Sequence, residues 1–225
     1  MNLYFLVEGT SELRVYPKLI EYFLPNLSRV KYANDAIENN YFLMSGKGCD
    51  SMLSNYLANS IKDVNACDNY DILVLSIDAD SLSVQERIAE VNNFIRKNDL
   101  KLHDCSLEVI VPNKCFDTWF LGNRKVYFDI STHPEFIYFA NFYNVSENDP
   151  ELMKKPPYFN GSISVYHYEY LRQMLRETKP SYTKKKPYVV GKPYYIEELK
   201  KRIQETPTHL ASLKNFFDFC DSKNV

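Results

Sequence analysis

The chain has 225 residues, of which 45% are apolar and 25% charged, a composition that supports a buried core and excludes global disorder. Its net charge of −2 gives no bulk attraction for nucleic acid, but residues 151–225 carry 14 Lys and Arg against 8 Asp and Glu, while the first 150 residues carry 13 against 21. No stretch approaches the roughly 20 apolar residues that span a bilayer, so no transmembrane helix is expected.

Residues 3–7, LYFLV, form a short continuous apolar run that predicts a buried strand, ending at Glu8-Gly9-Thr10. Leu13, Tyr16, Leu19, Ile20, Phe23 and Leu24 then recur at helical spacing, and Pro25 stops the pattern. Residues 41–45, YFLMS, predict a second strand closed by Gly46-Lys47-Gly48. Asp50 suits the cap of the next helix, whose stripe is Leu53, Tyr56, Leu57 and Ile61. Residues 71–77, DILVLSI, predict a third strand running into Asp78-Ala79-Asp80. Ser83 and Glu86 have the spacing of a capping box for a helix that turns Val84, Ile88, Val91 and Ile95 inward. Residues 107–111, LEVIV, predict a fourth strand ended by Pro112.

Strands alternating with amphipathic helices define an α/β fold with a mainly parallel sheet flanked by helices. From about residue 123 the pattern turns helical and aromatic, with helices expected over 133–143 and 165–177 and two more near the end. The proline-broken, lysine-rich stretch 179–195 between them reads as an exposed loop. Residues 1–122 are thus expected to form the core, and 123–225 a helical, basic elaboration packed on it. Five cysteines without a CxxC pair argue against a disulfide framework and against structural zinc. With no basic lead before its first apolar run, the chain is expected to lack a signal peptide and to be cytoplasmic.

In open parallel sheets, functional groups gather at the carboxyl ends of strands. Glu8 follows the first strand, and Asp78 and Asp80 follow the third. In an extended segment Asp78 and Asp80 would point the same way and face one cation together with Glu8. Clustered carboxylates raise one another's pKa unless a cation neutralises them, and Mg²⁺ or Mn²⁺ prefers such oxygen donors. A single acid at a strand end is more often a solvated turn residue, but three acids at two strand ends favour a site. His103, His133, His167 and His209 fall in no metal-ligand spacing and are expected to be surface or packing residues.

Val7-Glu8-Gly9-Thr10-Ser11-Glu12 after one strand and Asp78-Ala79-Asp80 after another resemble the signature of the Toprim domain. That fold is shared by primases, topoisomerases, a ribosomal RNA maturase and OLD-family nucleases. Within that superfamily the chain resembles the short OLD-like and RloB-like proteins of bacterial anti-phage defence. Glu12 stands four residues after Glu8, Gly46-Lys47-Gly48 resembles their glycine-bearing turn, and Pro112–Leu121 resembles their segment carrying a further metal-site acid. That acid is Asp117 here, where glutamate is usual. The resemblance covers residues 3–121 well and the tail loosely, where Tyr182-Thr183-Lys184 fits a tail lysine that completes the active site, with Lys185, Lys186 and Lys192 as competitors.

The resemblance implies metal-assisted phosphodiester hydrolysis. Glu8, Asp78 and Asp80 would be catalytic and hold Mg²⁺ or Mn²⁺, Glu12 and Asp117 would add ligands, and Lys184 would balance charge on the phosphate. Lys184, Lys185, Lys186 and Lys192, mixed with Tyr182, Tyr188, Tyr194 and Tyr195, would bind nucleic acid, or form a plain solvated loop. It also implies an effector in defence against phage or foreign DNA, controlled by a separate ABC-type ATPase or sensor. A homodimer stays open. The competing expectations are a Toprim-fold binding module that does not cut, and an RNA-processing maturase.

Overall fold

The apolar runs at 3–7, 41–45, 71–77 and 107–111 all become strands of one sheet. In this computed structural model the described residues are 1–127, 133–176 and 182–224, with Asp50 described for its backbone alone. The strands are β1 (Leu3–Val7), β2 (Ser28–Arg29), β3 (Asn40–Ser45), β4 (Ile72–Ser76) and β5 (Ser106–Ile110). They lie in the order β2-β3-β1-β4-β5, and every pairing is parallel. The added strand, β2, is an exposed two-residue edge with no apolar signal to announce it. Every residue of β1 and β4 is buried, which is why these runs are continuously apolar rather than alternating.

Helices cover both faces. On one, Leu3, Phe5 and Val7 pack with α1 (Glu12–Phe23), α5 (Phe116–Phe120), α6 (Pro134–Phe142), α7 (Ile163–Arg176), α8 (Pro193–Glu205) and α9 (Ala211–Lys223). On the other, Tyr4 and Leu6 pack with α3 (Ala58–Cys67) and α4 (Val84–Lys97). Between β3 and α3, the short α2 (Cys49–Ser51) leads into a π-helical stretch, Met52–Leu57. This doubly covered parallel sheet is the α/β architecture expected. The first cluster joins β1 and α1 to residues of α6 through α9, so the C-terminal helices share one core with the sheet.

Local signals hold where they rest on hydrogen-bond chemistry. Ser83 and Glu86 form the capping box of α4, with the Glu86 N–H donating to Ser83 Oγ at 3.2 Å and the Ser83 N–H to Glu86 Oε2 at 2.7 Å. Asp50 is not a cap, because the helix starts one residue earlier at Cys49 with Gly48 as its N-cap. The turn before it needs its glycines. Gly48 has φ +103°, and a Cβ on Gly46 would lie 2.7 Å from Met52 Cβ.

The stretch 179–195 is an exposed loop only in part: Lys184–Lys186, Tyr188 and Lys192–Tyr194 are exposed. Lys179, Pro180 and Ser181 lie outside the described residues, as does Glu177 of the expected helix. The remainder is docked, not loose: Tyr182 and Tyr195 are buried, Thr183 and Lys186 pair in a turn, and Tyr188–Gly191 is a 3₁₀ turn. Buried Tyr182 and Tyr195 therefore offer no stacking face. Among the described residues, no helix is long and apolar enough to cross a membrane.

Candidate active site

The parallel register sets Val7 beside Ser76 and Ser45, so the chain leaves β1, β3 and β4 at one level. Glu8 emerges there, and its carbonyl accepts from Ser45 Oγ and the Gly48 N–H, both at 3.0 Å. Its Oε2 accepts from the Asp78 N–H at 3.0 Å, tying the end of β1 to that of β4. Beyond β4 the chain keeps pairing with the chain beyond β5. The N–H groups of Ile77, Ala79 and Asp80 donate to the carbonyls of Ile110, Pro112 and Lys114 at 3.1, 3.0 and 2.8 Å. That extension carries Asp78 alongside α5 and its Asp117.

Glu8, Glu12, Asp78, Asp117 and Lys184 line one cleft of about 250 Å³ together with Ser11, Gly48, Cys115 and Ser164. Glu12 returns to it from the first turn of α1. A Cβ on Gly9 would stand 3.0 Å from Glu12 Oε2, so a glycine there leaves the carboxylate its place. Asp117 is buried, and one of its oxygens accepts from the Tyr182 hydroxyl. Lys184 is held at the mouth by its carbonyl, which accepts from Ser11 Oγ at 3.4 Å, and its Nζ lies 5.4 Å from the centre of the Tyr168 ring.

Asp80 does not share the cleft with Asp78. Ile77 and Ala79 turn into the second core, Asp78 faces the opposite way, and Asp80 enters the left-handed region at φ 52°, which breaks the extended alternation. Its carboxylate stands at the rim, accepting from Ser164 Oγ at 2.5 Å and lying 3.7 Å from Arg87 Nη2. Lys185 and Lys186 are exposed on the turn beside the cleft, and Lys192 lines a different groove. Sequence reasoning missed Ser164 and Arg87, and it missed Tyr182 as the partner of Asp117. Ser164 and Arg87 lie on α7 and α4, and no local pattern links either to an acid 84 or 7 positions away. His167 is a packing residue: it is buried, bonds Thr118 Oγ1 at 2.8 Å, and burial pushes its pKa down to about 3.

The electrostatics follow from packing like charges in a buried place. Burial, then the charges of Glu8, Glu12, Asp80 and Asp117, hold the Asp78 carboxyl well above the usual carboxylate range. Burial pushes Glu12 up to about 7, aided by Asp117 and Glu8 and opposed by Lys184. Burial also raises Glu8 and Asp117, against the Asp78 N–H, Arg87 and Lys184 for Glu8, and against Tyr182 and Lys184 for Asp117. Among the described residues, no three His, Cys, Asp or Glu side chains close into a metal cage. The donor set is nevertheless of the kind a hard divalent cation takes: four carboxylates line the cleft, with Lys184 the lone basic side chain lining it among the described residues.

The pH dependence has a definite sign. Glu12 has a folded pKa of about 7 against 4.5, so between those values the unfolded chain sheds a proton that the folded chain keeps. Stability must then fall as pH rises through that window and level off above it, with Asp78 adding in the same direction. Without metal, the melting temperature is expected to drop by about 5 °C between pH 5 and pH 8, as a penalty of about 2 kcal/mol implies. Mn²⁺ should raise it more at pH 8 than at pH 5. A melting temperature that rises over that interval, or ignores Mn²⁺ at both, would refute this account of the cleft.

No protein family, curated protein or solved structure matches this chain. Its class is therefore defined by fold and site: an α/β protein with a carboxylate-lined cleft at the carboxyl ends of a fully parallel sheet.

Proposed function

We propose that this protein is a Mg²⁺- or Mn²⁺-dependent phosphodiester hydrolase of the Toprim kind that cuts nucleic acid. One observation carries the reading: Glu8 and Glu12 from the junction of β1 and α1, Asp78 from just beyond the end of β4 and Asp117 from α5 meet with Lys184 in one cleft at the strand ends. Glu8 and Asp78 would hold the cation, with Glu12 and Asp117 completing its surroundings and Asp80 joining from the rim. A bound divalent cation supplies Lewis acidity towards a phosphate oxygen and lowers the pKa of water. The Tyr182 hydroxyl orients Asp117 by occupying one of its oxygens. Lys184, at the mouth, offsets negative charge on the phosphate as it develops. The resemblance extends the proposal to an effector of anti-phage defence, controlled by a separate ABC-type ATPase or sensor protein.

A second reading, a Toprim-type module that binds without cutting, draws on Asp80 being tied to Ser164 and Arg87 rather than facing the cleft. Incubation of plasmid DNA, phage DNA and tRNA with Mg²⁺ and with Mn²⁺ separates the two. Metal-dependent cleavage by the wild type, absent in Asp78→Ala, is the expected result, and the substrate that is cut tells DNA from RNA processing. Intact substrates throughout, with binding retained, would favour the module.

A further inference from the structure

Arg14 and Lys18 stand four residues apart on the exposed face of α1, and the lysine-rich segment lies along that same face. The contacts run in one direction. Ser11 Oγ meets the Lys184 carbonyl, Arg14 Nη1 donates to the Tyr188 hydroxyl at 3.0 Å, and Lys18 lines a groove of about 660 Å³ with Tyr22, Tyr188 and Lys192. Tyr188 is 50% exposed, although its hydroxyl is pinned by Arg14, so an aromatic ring is held in place with a face open to solvent. Glu21 is the acid in this groove, and it is paired with Lys18 at 2.7 Å. Arg14, Lys192 and the exposed Lys185 and Lys186 leave the path net positive.

We infer that this path is the track for a single-stranded nucleic acid, whose chain leaves the cleft at Lys184, crosses Arg14 and stacks a base on Tyr188 in the Lys18–Lys192 groove. The inference rests on the hydrolase reading for what happens in the cleft, and adds the substrate class and the path. From Ser11 to Lys18 α1 advances about 10 Å, which is at most about three nucleotides at the stacked rise of ~3.4 Å and fewer in an extended strand. Cations along the backbone with an aromatic face for an unpaired base are how single strands are held without sequence readout. A duplex keeps its bases paired and has none to offer Tyr188. The cleft, at about 250 Å³, is much the smaller space, so the base belongs in the groove and the phosphate in the cleft.

Binding decides the matter, measured by fluorescence anisotropy in chelator so that nothing is cut. The probes are a labelled 20-nucleotide single strand, as DNA and as RNA, and the same sequence as a blunt duplex. Wild type is expected to prefer one of the single strands over the duplex by about tenfold or more. Tyr188→Ala should weaken that binding by about tenfold, as loss of one stacked base does, while Tyr188→Phe keeps the ring and restores most of it. Arg14→Gln with Lys192→Gln should flatten the log–log salt dependence by about 1.4, two single-strand phosphate contacts. Equal binding of duplex and single strand, or unchanged binding by Tyr188→Ala and the double variant with unaltered melting temperatures, overturns the track. Adding Mn²⁺ to the same strands tests the hydrolase reading separately. Cleavage with Tyr188-independent binding sinks the track alone, and Tyr188-dependent binding without cleavage sinks the hydrolase alone.

Discussion

Asp78→Asn is expected to abolish metal-dependent cleavage, by about a thousandfold or more, while making the metal-free protein more stable. The two effects share one cause. Asp78 is held well above the usual carboxylate range by burial and by the charges of Glu8, Glu12, Asp80 and Asp117, so its ionised form is costly until a cation arrives. Asparagine keeps the shape and removes the charge. The several kcal/mol of transition-state stabilisation that a bound cation supplies is lost, and each 1.36 kcal/mol is a factor of about ten in rate. A melt at pH 8 in chelator should show the variant above wild type, and calorimetry should show its Mn²⁺ heat gone. Cleavage at the wild-type rate, or an Mn²⁺ heat identical to wild type, would remove Asp78 from the chemistry. Glu8→Ala should lose cleavage to a similar degree but stay no more stable, because it leaves the Asp78 N–H without its acceptor, a loss of about 1 kcal/mol.

Lys184→Ala should lower turnover by about a hundredfold with little change in affinity, whereas Lys185→Ala and Lys186→Ala should change affinity alone. Lys184 lines the cleft, and Lys185 and Lys186 do not. A cation placed where charge develops acts on the transition state more than on the bound substrate, so its removal falls on kcat. The neighbouring lysines touch phosphates at most, and each should flatten the salt dependence by about 0.7 to 0.9. Steady-state rates and anisotropy on the four proteins give the split, with Lys184→Arg expected to recover part of the rate. A Lys184→Ala variant that loses affinity and keeps kcat would make it one more backbone contact.

The sheet was legible because its strands are buried on both faces. LYFLV and the ILVL of residues 72–75 can be continuously apolar only where no side meets water, and both lie in central strands with every residue of Leu3–Val7 and Ile72–Ser76 buried. The strand ends were legible for the same reason, since an acid directly after such a run marks where the chain leaves the core, and Glu8 and Asp78 stand there. Ser28–Arg29 was not legible, because a two-residue exposed edge needs backbone pairing and no apolar pattern.

What only the tertiary structure decided is which polar side chains share the cleft. Asp80 sits two positions from Asp78, yet a backbone at φ 52° turns it to Ser164 and Arg87, a choice made by the pairing of residues 77–80 with the chain beyond β5. That pairing also delivers Asp117, from 39 positions downstream, to the side of Asp78. Among the tail lysines, composition cannot choose; the buried Tyr182 hydroxyl on Asp117 and the Ser11 contact to the Lys184 carbonyl place Lys184 at the mouth and leave Lys192 in another groove. Apolar burial is a local property that the order of residues announces, whereas the meeting of distant polar groups depends on chain crossings that only the packed structure sets.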